Sequence, residues 1–131
     1  MTKIQSVMQS QVVTVSPTTT VTEAIELLMK YKISGVPVVV GNLEPVGMLT
    51  EKDLLNIFSE EMSGEIRVEQ LMSRTLHTFQ VTDSLEAVCD CLLANHFRRV
   101  MILDGKKLVG LISRADLMPA ILEVLQERNR T

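Results

Sequence analysis

The chain has 131 residues, 46% hydrophobic and 22% charged, enough for one globular domain that builds a core without disulfides or metal. Its net charge of −3 makes it a poor neutraliser of phosphate, which sequence-independent nucleic-acid binding requires. No apolar run approaches the ~20 residues of a membrane helix, and the start, MTKIQSVMQSQ, lacks the apolar stretch of a signal peptide, so the default location is the cytoplasm.

Aromatic side chains are limited to Tyr31, Phe58, Phe79 and Phe97, so the core is expected to be aliphatic and filled out by several of the eight methionines. In chain order, Val12–Val15 reads as a short β-rich run. Val21, Ala24, Ile25, Leu28 and Met29 then recur at helical spacing. The run VPVVV at 36–40 is continuously apolar, which suits a strand buried on both faces. The turn GNLEP follows, and a second strand, PVGMLT, leads into a helix. SEEMSGEIR reads as a helix end and a short polar link, with Gly64 as the breaker.

The same grammar then starts again. Leu76–Phe79 is a β-rich run, and Leu85, Val88, Cys89 and Leu92 mark a helix. The strand VMILD at 100–104 ends in the hairpin signal Asp104-Gly105. The strand LVGLIS leads into a final helix. Pro119 falls about six residues into that helix, where proline removes a hydrogen bond and clashes with the preceding turn, so a kink or a restart is expected. Cys89 and Cys91, two apart, point to different faces of their helix, and neither a disulfide nor a shared metal is expected.

The two halves are in register. Sliding the sequence by 64 places Met8 on Met72, Thr14 on Thr78, Leu28 on Leu92, Val36 on Val100 and Gly41 on Gly105. After a one-residue deletion in the hairpin the offset is 63, and GMLTEKDL at 47–54 falls on GLISRADL at 110–117. Internal repetition of this kind sets the fold. The expectation is two β-α-β-β-α units, 1–61 and 67–131, joined by a link at 62–66. One unit of ~60 residues buries too little surface to stand alone. The two are therefore expected to form a single α/β (α+β) module, packed through their sheets about a pseudo-twofold axis.

The repeated phrase has the form G-h-h-[TS]-x-x-D, where h is apolar. Thr50 and Ser113 are natural helix N-caps, and Asp53 and Asp116 follow three residues on, as in a capping box with Asp in place of Glu. Thr20-x-x-Glu23 and Asp83-x-x-Glu86 have the same look. Two features go beyond a cap. Gly47 and Gly110 precede it on a strand, where glycine often marks close approach by something else. A helix N-terminus also offers free N–H groups to a phosphate. A short hydroxyl can donate to a phosphate oxygen. A carboxylate repels phosphate but accepts two hydrogen bonds from a ribose diol. Together they describe half of a nucleotide site.

Two tandem β-α-β-β-α units, each ending in this phrase, with SGVPVVV at 34–40 and the openings VMQS at 7–10 and LMSR at 71–74, resemble a cystathionine-β-synthase-type (CBS) domain pair over nearly the whole chain. The chain looks like a stand-alone protein of that family. The resemblance implies adenine nucleotides or related adenosyl compounds (AMP, ADP or ATP, with NAD or S-adenosylmethionine also possible chemistries) bound in two clefts between the units. It implies that Asp53 and Asp116 take the ribose, with Thr50 and Ser113 beside them. It places adenine in a slot made by Val13, Ile33, Ser34 and Val36 in the first half, and by His77 and Phe97 in the second. It implies phosphate contact from Arg98 or Arg99, since arginine presents a planar fork of donors. These align with Ser34 and Gly35, so the two clefts are expected to differ. At His77 the plainer alternative is a histidine satisfied by a protein partner. A flat homodimer formed through the helices is also implied.

Three functions follow. The first is a ligand-sensing regulatory module that passes its state to an unknown target protein and needs no resident cofactor. The second is a structural or dimerisation module with degenerate, non-binding clefts, in which the aspartates only cap helices. The third, an enzyme, is disfavoured, because no nucleophile–base pair, metal cluster or phosphate-transfer loop is visible.

Overall fold

A computed structural model describes residues 2–59, 61 and 65–130. Gly64, the expected breaker, and most of the 62–66 link lie outside the described residues. The elements are α1 (Ile4–Val7), α2 (Val21–Tyr31), β1 (Gly35–Val40), β2 (Glu44–Thr50), α3 (Glu51–Leu55), β3 (Thr78–Gln80), α4 (Leu85–Ala94), β4 (Arg99–Asp104), β5 (Lys107–Ser113) and α5 (Met118–Arg128). The chain is a mixed α/β protein with two small sheets, β1-β2 and β3-β4-β5.

The compact units are Val13–Leu76, and Met1–Val12 with His77–Thr131. The compact units thus begin at Val13 and His77, a short way into each repeat. Each half's opening segment is hydrogen-bonded into the unit built by the other half's strands. Gln9 bridges to Leu111, with N–H···O distances of 2.8 and 3.0 Å. Ser73 bridges Met48 in the same way, both at 2.9 Å. Val21 N–H also donates to the Ile66 carbonyl at 2.8 Å. Backbone groups that would otherwise be orphaned fix these pairings.

In the Val13–Leu76 unit, β1 and β2 are antiparallel and β1 is buried along Gly35–Val39. The core is Val15, Ala24, Leu28, Val36, Val38, Leu49, Val68 and Met72. Helix α2 is capped by Thr20, whose hydroxyl accepts from Glu23 N–H at 3.1 Å, as expected. Its apolar stripe is narrower than the spacing suggests: Val21, Ala24 and Leu28 are buried, but Met29 is 73% exposed. The helix ends at Lys32 in the left-handed region, φ 53°. The β-rich run Val12–Val15 shrinks to one parallel bridge, Val15 to Val38.

The other unit repeats this with one more strand. Its core is Ile4, Leu85, Val88, Leu92, Val100, Ile102, Ile112, Leu117 and Ala120. β3 runs parallel to β4, and β5 is antiparallel to β4. Ser84, not Asp83, caps α4, accepting from Ala87 N–H at 3.2 Å, while Asp83 accepts from Gln80 N–H at 2.7 Å. Gly105, φ +65°, opens the tight hairpin between β4 and β5. Both hairpins carry the same register shift, after Val38 in one and after Ile102 in the other. Val46 and Val109 are the extra residues, bulges at repeat-equivalent positions that re-aim the strand just before each glycine. Pro119 restarts the last helix, as expected. It lacks the N–H that Ala115 would need four residues on, so Ala115–Leu117 closes as a 3₁₀ turn and α5 begins at Met118 with Pro119 in its first turn.

Candidate functional site

Each copy of the repeated phrase carries a strand end into a helix start. In the first, Thr50 ends β2 opposite Gly35, and Glu51 N–H donates to the Ser34 carbonyl at 3.0 Å. This holds residues 33–35 beside 50–53. A complete capping box forms: Asp53 N–H reaches Thr50 Oγ1 at 3.4 Å, and Asp53 Oδ2 accepts from Thr50 N–H at 2.9 Å and from its hydroxyl at 3.0 Å. Asp53 Oδ1 receives no hydrogen bond from any described residue.

In the second copy, Asp116 Oδ2 accepts from Ser113 N–H at 2.7 Å and from its hydroxyl at 3.0 Å. The reciprocal bond is missing, because the 3₁₀ turn starts one residue later, with Arg114 in the cap position. Asp116 Oδ1 is also occupied: Gln9 Nε2 donates to it at 3.0 Å. Thus both hydroxyls point their protons at the neighbouring carboxylate. Both aspartates are half-buried.

The two glycines serve the chain itself. A methyl at Gly47 would lie 2.5 Å from Met72 Sδ and 3.0 Å from the Ser73 carbonyl; one at Gly110 would lie 2.6 Å from Met8 Sδ and 3.1 Å from the Gln9 carbonyl. The close approach expected at these positions is made by the opening segments Met8-Gln9 and Met72-Ser73.

The residues expected to line the two base slots differ between the copies. In the first copy Val13 and Ile33 are half-buried aliphatics packed on the core, and Ser34 is half-buried and engaged by a polar contact. Val36 is fully buried, so its side chain belongs to the core. In the second copy His77 and Phe97 stack face to face, ring centroids 3.7 Å apart and planes 13° apart. Arg98 is exposed, and Arg99, opposite Ser113 on β5, is half-buried and engaged. Arg114 donates to the Leu92 and Asn95 carbonyls at 3.2 and 3.1 Å and closes the end of α4.

Two residues not singled out in the sequence shape these copies. Gln9 falls on Ser73 in the repeat register, and only the longer side chain reaches its aspartate. Pro37 falls on Met101. Met101 N–H donates to the His77 carbonyl at 2.8 Å, whereas Pro37 has no N–H to give Val13. Both differences were visible in the aligned halves; their meaning needed the strand pairing.

Among the described residues no three His, Cys, Asp or Glu side chains gather to hold a metal ion. No helix of the described residues is long and apolar enough to cross a membrane. Away from the site, burial pushes the Cys89 thiol up, with Asp90 and then Glu86 adding to the effect.

A family model for the CBS domain matches residues 4–60 and 68–123. The CBS domain-containing protein YhcV of Bacillus subtilis is 32% identical over 118 residues, covering 89% of this chain and 84% of that one. The chloroplastic CBS domain-containing protein CBSX1 of Arabidopsis thaliana is 31% identical over 145 residues, covering 88% of this chain and 61% of that protein. Among solved structures, CBSX2 of the same plant in complex with AMP superposes with a TM-score of 0.84 at 28% identity, covering 95% of this chain and 98% of that one.

Proposed function

The chain belongs to the CBS domain family, and from that premise we propose that it is a regulatory module that senses an adenine nucleotide or another adenosyl compound. The observation that carries this is the repeated hydroxyl–carboxylate pair at a helix start, Thr50–Asp53 and Ser113–Asp116, beside an apolar slot. A carboxylate with an open oxygen accepts from a ribose diol, and the aliphatic slot takes a base. AMP bound to the similar CBSX2 supports the choice of ligand class. AMP, ADP and ATP are the first candidates, ahead of NAD and S-adenosylmethionine. The exposed Arg98 guanidinium is the group best suited to meet a phosphate.

The module works as a sensor in the cytoplasm rather than as an enzyme. Ligand binding favours one conformation, and a target protein reads that preference, a coupling typically worth about 1–3 kcal/mol. The chain assembles as a homodimer through its helices. Ile121, Leu122, Val124 and Leu125 on α5, with Met29 on α2, Leu55 at the end of α3 and Phe58 just after it, leave an unusual amount of large apolar surface in water.

A second reading, a dimerisation module with degenerate sites, is favoured by the capping geometry, since both aspartates already bond their own backbone. A thermal-shift series with AMP, ADP, ATP, NAD and S-adenosylmethionine, with and without magnesium, separates the two. A ligand that binds only the folded state raises the melting temperature. No rise with any of them, while the protein remains dimeric, selects the second reading.

A further inference from the structure

We propose that the two copies are not equivalent: the Thr50–Asp53 copy takes the base and ribose, the Ser113–Asp116 copy is closed by its own side chains, and the chain binds one adenosyl ligand. This rests on the adenosyl-binding reading and adds which site works and what selects the base.

Three independent differences point the same way. The first is the ribose acceptor. Asp53 Oδ1 is open to a sugar hydroxyl, while Asp116 Oδ1 is held by Gln9 Nε2 at 3.0 Å. Ser73, the counterpart of Gln9, is too short to do the same to Asp53. The second is the slot. Val13 and Ile33 are aliphatic; their counterparts His77 and Phe97 are already stacked at 3.7 Å. A base entering between those rings would have to part them to about twice that spacing and give up their contact.

The third is the acceptor that reads the base. The His77 carbonyl is used by Met101 N–H at 2.8 Å. In the first copy the partner position is Pro37, regular pairing is reduced to Val15, and the Val13 carbonyl receives no hydrogen bond from any described residue. A carbonyl left without a partner prefers a donor. Adenine's exocyclic amine is a donor at the edge of the ring. Hypoxanthine presents a carbonyl there and would set two acceptors against each other. Pro37 is thus a specificity-determining residue that acts by withholding a backbone N–H.

The test is isothermal titration calorimetry with AMP, repeated with IMP. The expected result is one AMP per wild-type chain, with IMP weaker by roughly tenfold or more. The variant Gln9→Ser/His77→Val/Phe97→Ile frees Asp116 and the slot but leaves the Met101 N–H on the carbonyl at position 77, so it should bind a second AMP, more weakly than the first and with no preference over IMP. The wild type supplies a second measurement should that variant not fold. Its two histidines give separable ring C–H signals, assigned with His96→Gln, and those of His77 should stay in place through the first equivalent of AMP. Two equal sites in the wild type, or His77 signals that move with the first equivalent, overturn the inference and leave the adenosyl reading standing. Equal affinity for IMP removes the role given to Pro37. No AMP binding at all overturns both.

Discussion

Replacing Gly110 by alanine should destabilise the protein without any ligand present. The new methyl would sit 2.6 Å from Met8 Sδ, 2.9 Å from Met8 Cγ and 3.1 Å from the Gln9 carbonyl. The methionine can swing away, but it is half-buried against the core, and moving it loosens the Gln9–Leu111 bridge that anchors the opening segment. Overpacking of this kind costs about 1–3 kcal/mol. For 131 residues the unfolding entropy is about 0.28 kcal/mol per degree, so a loss of about 2 kcal/mol lowers Tm by about 7 °C. The assay is thermal and urea denaturation of the wild type, Gly110→Ala, Met8→Ala and the double variant. In the Met8→Ala background the glycine substitution should cost no more than about 0.5 kcal/mol, because the sulfur and Cγ are gone, giving a coupling of about 1.5 kcal/mol. A Gly110→Ala protein as stable as the wild type, or strict additivity of the two changes, would refute the claim that the glycine makes room for methionine.

Lys32→Gly should raise stability by about 0.5 kcal/mol, roughly 2 °C in Tm, because Lys32 holds a left-handed conformation at the end of α2 and glycine adopts it without a Cβ penalty. In a Cys91→Ser background, Cys89 should react with a thiol-specific disulfide reagent more slowly than a free cysteine at pH 8. Its thiol is held in the protonated form by burial and by Asp90 and Glu86, so the rate should rise with pH above that point; a rate equal to free cysteine contradicts this. Ile121→Glu/Leu125→Glu should shift the protein from dimer to monomer in light scattering behind size exclusion, as both side chains are exposed apolar groups on α5. An unchanged mass moves the interface elsewhere.

Much of the fold was legible because the halves repeat. Apolar runs at 36–40 and 100–104, helical spacing at 21–28 and 85–92, and the Asp104-Gly105 turn each name an element that exists. The restart at Pro119 followed from its missing N–H. What stayed hidden was pairing at a distance. No local pattern tells that Met8-Gln9 bridges β5 and Met72-Ser73 bridges β2, so that each compact unit begins a short way into a repeat. The same pairing turned the glycines from a sign of ligand approach into a seat for methionine. Val12–Val15 has the composition of a strand, yet only Val15 pairs, since Pro37 opposite cannot donate. The hydroxyl and carboxylate of each phrase were found from spacing alone. Their inequality was not, because Gln9 lies 107 positions from Asp116.

In the sensor reading, the carboxylate of Asp53 grips a sugar as well as capping its helix. Asp53→Asn keeps an oxygen to accept from Thr50 N–H and its hydroxyl, so the unliganded protein should lose no more than about 1 kcal/mol. The decisive measurement is the AMP dependence of Tm for wild type and Asp53→Asn side by side. The wild type should show a concentration-dependent rise that the variant lacks, with the two unliganded Tm values within about 4 °C. An equal AMP-induced rise in both proteins would contradict it.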